Sequence, residues 1–147
     1  MANVFGSEFR RVENREHLGK PALVAVLIRS YDTTVEDLWD AITTPERLTL
    51  EHIAHKDGIG EEHLKKFGPG AVGIGWDLGF HGLERHLAAP DVPLDHAAME
   101  AWSLSAEGKA FTRSSGDAWA AAHAASGEDP EEARAKAERT IAFYQGA

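Results

Sequence analysis

The stretch TTPERLTLEHIAHKDG, Thr43 to Gly58, runs from the end of one element into the start of the next with almost nothing between them. Pro45 stops what precedes it, because a residue before proline is pushed out of the helical region. Leu48-Thr49-Leu50-Glu51-His52-Ile53 then alternates like a strand, leaving about two residues for a connection. No further strand fits at that point, so any sheet must be built from what lies on either side.

Upstream, Ala22-Leu23-Val24-Ala25-Val26-Leu27-Ile28 is wholly apolar, β-branched in part and short for a helix, which predicts a strand buried on both faces. Arg29 to Asp32 ends it. Residues 1–21 are polar and aperiodic, punctuated by Gly6, Gly19 and Pro21, and read as an N-terminal arm. Thr33 and Glu36 form a capping box, and Val35, Leu38, Trp39 and Ile42 fall on one helical stripe. Across Arg47 to His55 the alternation puts Leu48, Leu50, His52 and Ala54 on one side and Thr49, Glu51, Ile53 and His55 on the other. The first set is the more apolar and is the expected core face.

Beyond Gly58 the sequence is helical almost to its end. A short charged helix over Glu61 to Phe67 is broken by Gly68-Pro69-Gly70. From Ala71 to Ala88, Val72, Trp76, Phe80, Leu83 and Leu87 recur every three or four residues and predict a long helix, in spite of four interior glycines that each cost about 1 kcal/mol relative to alanine. Close packing of this helix against a sheet is the expected compensation. Asp95 is placed to cap a helix with Met99 and Trp102, another runs from about Glu107 to Ser126 before Gly127, and Asp129-Pro130-Glu131-Glu132 opens the last, with Ala133, Ala137, Ile141 and Tyr144 on its apolar face.

At 147 residues, with 43% hydrophobic and 27% charged, the chain fits one globular domain. It holds no apolar run of membrane-spanning length, and its N-terminus has charges where a signal peptide needs apolar residues, so a cytoplasmic protein is expected. The absence of cysteine removes disulfides, thiol nucleophiles and thiolate zinc sites. A net charge of −9 with dispersed basic residues argues against nucleic-acid binding.

Gly68 to Gly73 matches G-x-G-x-x-G, but a dinucleotide site requires a strand before that loop, and a charged helical segment precedes it here. It reads as a helix start. His52, His55 and His63 beside Asp57, Glu61 and Glu62 invite a metal, yet His52 and His55 point to opposite faces of a strand, so no metal site and no cofactor are expected. His81 and His86 read as solvated. For acid–base chemistry His52 on the inner strand face is the best candidate, with Asp77 and Glu51 weaker. Trp39, Trp76 and Phe80 either line a ligand cavity or are ordinary core.

LIRSYDTTVEDLWDAITTPERL resembles the opening strand and helix of the SRPBCC or START-like superfamily, especially its branch of activator-of-heat-shock-ATPase homologues: Val35, Trp39 and Pro45-Glu46-Arg47-Leu48 match that pattern. LTLEHIAHKD resembles the last strand of the domain, FGPGAVGIGWDLGFHGLERHL the start of its long C-terminal helix, and the alanine-rich tail an extension of actinobacterial-type members. The resemblance implies a helix-grip fold, a curved antiparallel sheet wrapped around the long helix with an apolar ligand between them. The meander of strands that the family places after the P-E-R-L turn is missing, as an in-frame deletion at Arg47-Leu48 explains.

The expectation is therefore an α+β, mostly helical protein: an N-terminal arm over 1–21, an incomplete helix-grip domain with a short antiparallel sheet and long helix over 22–89, and a helical extension over 90–147. The resemblance implies a non-enzymatic binding protein, possessing a surface around Trp39, His52, Trp76 and Phe80 for an apolar small molecule or a protein partner, and suggests chaperone-ATPase activation. The alternatives are a polyketide cyclase-like enzyme with His52 as general base, or a remnant without ancestral activity. Loss of the central strands leaves the edge of 47–55 unpaired and predicts a homodimer through it, unless the tail helices cover it.

Overall fold

The apolar run at Ala22 to Ile28 lies in the middle strand of an antiparallel sheet that has three strands among the described residues. The computed structural model describes residues 9–30, 47–89, 91–93 and 95–146. Strand β1 (Phe9–His17), β2 (Lys20–Ser30) and β3 (Arg47–His55) lie in the order β1-β2-β3, and Ala25 stands opposite both Val12 and His52. The helix expected over Thr33 to Ile42, with Trp39, lies outside the described residues. Among the described residues, helices α1 (Gly58–Phe67), α2 (Gly70–Ala88), α3 (His96–Leu104), α4 (Ala106–Ala125) and α5 (Pro130–Tyr144) give a mixed, mostly helical architecture.

The arm reading of 1–21 needs correction, because residues 9–17 form a sheet strand. Leu18 and Gly19 both take positive φ, 52° and 73°, the two-residue turn whose twist suits a tight hairpin. The strand hides in the sequence because only Val12 among its inward residues is apolar; Arg10 and Asn14 face inward to polar partners on the helices. β2 is buried from Ala22 to Leu27 on both faces, as its composition predicts. On the inner face Val12, Leu23, Ala25 and Leu27 pack with Ile74 and Phe80 of α2, Trp119 of α4 and Ile141 of α5, and Leu50 joins them from β3. On the outer face the Arg15–Glu51 ion pair, 2.8 Å, reaches from β1 to β3 across β2.

Helix ends follow the local signals. Asp95 accepts from the Ala98 amide, Ser105 from Gly108, and Asp129 from both Glu131 and Glu132, each satisfying amides that the first helical turn leaves open. The glycine-bearing helix α2 is present, but its close approach is not to the sheet. A Cβ at Gly73 would stand 2.3 Å from Trp119 Cε2, so the missing side chain admits an indole of α4.

Gly73→Ala is expected to destabilise the chain by about 1–3 kcal/mol through overpacking, while Gly79→Ala, with nothing within 4 Å of the new methyl, gains up to about 1 kcal/mol of helix propensity. Urea unfolding of the two variants checks the opposite signs.

Candidate functional site

Three of the four residues expected to frame a ligand face come together. His52 lies on the inner face of β3, and Trp76 projects from α2 so that its Nε1 donates to His52 Nδ1 at 3.3 Å. The Trp76 and Phe80 ring centroids are 6.4 Å apart, and Arg29 Cζ sits 5.6 Å from the Phe80 centroid. Phe80 and Arg29 are buried, whereas Trp76 keeps 40% of its surface exposed. Trp39, the fourth, lies outside the described residues.

This geometry bears on the acid–base reading. A neutral imidazole that accepts at Nδ1 carries its proton on Nε2, so its lone pair is engaged by the indole and it has no free acceptor for a substrate proton. The two weaker candidates are occupied elsewhere. Asp77 is fully buried: its Oδ2 accepts from Ser115 Oγ at 2.5 Å, Trp119 Nε1 at 3.0 Å and Arg10 Nε at 3.3 Å, and Arg10 Nη2 lies 3.1 Å from Oδ1 as an ion pair. Glu51 is on the outer face with Arg15.

His52 and His55 do point to opposite faces, His55 Nε2 meeting His17 Nδ1 at 3.0 Å. Among the described residues there is no group of three or more histidine, aspartate and glutamate side chains able to hold a metal ion. His81 departs from the solvated reading: it stacks on Trp102 at 4.5 Å, and burial holds its pKa below the usual histidine value. At Gly68 to Gly73 the loop joins α1 to α2 with no strand before it. α5 closes over it, with Thr140 Oγ1 donating to Phe67 O at 3.0 Å and Tyr144 Oη to Ala71 O at 2.8 Å.

A second place carries more convergent polar groups than the first, and the sequence did not single it out. At the hairpin end of the sheet a cleft of about 350 Å³ lies between β1, β2, α1 and the turn joining α4 to α5. His123, near the end of α4, places Nε2 at 3.3 Å from Glu128 Oε2, and Lys136 Nζ of α5 reaches the same oxygen at 2.5 Å. Burial pushes the His123 pKa down, the charges of Lys136 and Lys56 add to this, and Glu128 opposes it without prevailing. The Glu128 carboxyl is held below its usual range chiefly by the Lys136 hydrogen bond. Both shifts favour a neutral imidazole beside an ionised carboxylate at neutral pH. In sequence these residues look unrelated, an isolated histidine in an alanine-rich helix and a glutamate and lysine beyond it; only the turn at Gly127, with φ of 105°, folds them onto one another.

Compared with protein-family models, curated proteins and solved structures, the chain has no significant match. Among the described residues no helix is long and apolar enough to cross a membrane.

The depressed pKa of His123 gives a signed expectation. Folding holds this group below its unfolded value of about 6.5, so its contribution is full above that pH and is lost as pH falls through the folded value. The thermal midpoint of the wild type should fall between pH 7 and pH 5, and His123→Gln should flatten that fall. His81→Gln removes the contribution of a second, half-buried ring whose pKa burial also lowers, and serves as the comparison. An unchanged pH profile in His123→Gln counts against a neutral His123.

Proposed function

We propose that the chain is a non-enzymatic binding module of the START-like kind, an incomplete helix-grip fold that receives an apolar small molecule or an apolar protein segment on the face formed by Trp76, His52 and Phe80. The observation that carries this reading is the half-open indole of Trp76. Its ring is held by a hydrogen bond to His52 and backed by the buried Phe80, so a large apolar surface is presented in a fixed orientation. A preorganised aromatic loses little freedom on contact, which is why such residues dominate binding surfaces. The engaged lone pair of His52 favours binding over a cyclase-like reaction. The antiparallel pairing of β2 with β3 and the long α2 across the inner face agree with the family resemblance, which also supplies the suggestion of a chaperone-ATPase partner. A cytoplasmic setting belongs to the same reading and is supported by the lack of cysteine.

N-phenyl-1-naphthylamine, an uncharged dye that brightens in apolar surroundings, is expected to bind one to one, and Trp76→Ala to weaken it about fivefold or more. Equal affinity in the variant overturns the assignment of this face.

The same proposal includes self-association. Among the described residues β3 pairs with β2 alone and ends the sheet, leaving the ladder groups of its other side without a strand partner there. Two copies meeting at this edge about a two-fold axis continue one sheet across the dimer. Sedimentation at micromolar concentration should show a dimer that dissociates on dilution. A monomer whose mass does not change with concentration removes the edge-pairing idea.

A further inference from the structure

The cleft beside His123 has a charge balance opposite to that of the chain. The whole sequence carries −9, yet the cleft is lined by Lys56, Lys65 and Lys136 against only Glu61 and Glu128. Two of these lysines are matched by carboxylates, Lys136 by Glu128 and Lys65 by Glu61 at 2.8 Å. Lys56 is not. Its Nζ donates to the neutral amide oxygen of Asn14 at 2.5 Å, and among the described residues no carboxylate pairs with it. Asn14 is itself fixed, its Nδ2 donating to Ser126 O at 3.4 Å on the opposite wall. An ammonium group is thereby held in place at the cleft without a counter-ion. Leu23 and Leu64 supply an apolar part of the lining, and the volume falls within the range of small-molecule sites.

We propose that this cleft binds a small organic monoanion, a carboxylate on a short apolar stem, with the carboxylate on Lys56 and the stem against Leu64 and Leu23. The single unmatched positive charge selects a monoanion, because the remaining cations are already offset within the lining. A partly enclosed site screens the ion pair less than open water does, and the preset ammonium avoids the ordering cost that weakens surface pairs. Both the residues and the ligand chemistry differ from those of the Trp76 face, so the two sites stand or fall separately.

The probe is 4-phenylbutyrate, with the neutral 4-phenylbutanamide as its isostere, titrated calorimetrically into the 147-residue chain and followed by amide NMR shifts. Phenylbutyrate should bind one to one and about tenfold more tightly than the amide, shifting the amides of Lys56, Gly127 and Glu128. Lys56→Met should remove that preference, leaving the two probes within about twofold of each other. The side chain of Lys56 lies at the surface, and an unchanged melting curve confirms that the variant is folded. The proposal is overturned if the amide binds as tightly to the wild type, if Lys56→Met keeps the preference, if neither probe binds at millimolar concentration, or if the shifts gather around Trp76 and Phe80.

Discussion

A fully buried carboxylate sets the arrangement of the helices on the sheet. Asp77 takes a hydroxyl from Ser115 and an indole N–H from Trp119, both on α4, and a guanidinium from Arg10 on β1. Transfer of a lone carboxylate into a protein interior costs several kcal/mol, so the charge is tolerable only where all these partners converge. The cluster therefore ties together β1, α2 and α4 and fixes the rotation of α2 about its axis. With Asp77 turned inward, Ile74 and Phe80, three residues to either side, also enter the core, while Trp76 is carried round to the β3 side where it meets His52. Four residues before Asp77, Gly73 lets the Trp119 ring lie against the helix. The same indole thus fills the notch at Gly73 and donates to Asp77, and Arg10 Cζ lies 6.0 Å from its ring.

What the sequence revealed divides along the line between local and convergent signals. Capping residues at Asp95 and Asp129, the apolar run of β2 and the alternation of β3 act over a few neighbouring positions, and each element stands where it was expected. β1 was missed because inward Arg10 and Asn14 look like solvent-facing residues until their partners 67 and 112 positions away are known. The glycines of α2 did announce a close neighbour, but periodicity cannot say whether a sheet or an indole fills the space. Trp76, Phe80 and His52 were legible as a group because all lie on predicted inner or aromatic positions of adjacent elements. The cleft was not, since its lining is drawn from β1, β2, α1, α4 and α5 and no segment carries its signature.

The small sheet changes what an apolar ligand face can be. Three strands among the described residues offer a surface beside α2, with Trp76 at its margin, where a larger curved sheet would enclose its ligand. On the opposite face the Arg15–Glu51 ion pair joins the two outer strands across β2, whose Val24 and Val26 are fully buried. β2 is buried on both sides from Ala22 to Leu27. Of the outer strands, β3 turns its more apolar side inward with Leu50, whereas β1 contributes Val12 between the polar Arg10 and Asn14.

The C-terminal helices are part of this economy, being more than an appendage to the sheet. α4 presents Phe111, Trp119 and His123 along one side, and α5 presents Ala133, Ala137 and Ile141, with small residues where the two helices approach most closely. A Cβ at Gly116 would stand 2.5 Å from Ile141 Cδ1, so this contact depends on glycine in the same way as the one at Gly73. Held this close, α5 brings Lys136 back to Glu128, while the end of α4 brings His123 and the Ser126 carbonyl to the hairpin end of the sheet. The helical packing that covers the inner face is therefore also what walls the cleft. Because Leu23 belongs both to the core and to the cleft lining, the sheet that backs Trp76 at one end forms the floor of the charged site at the other.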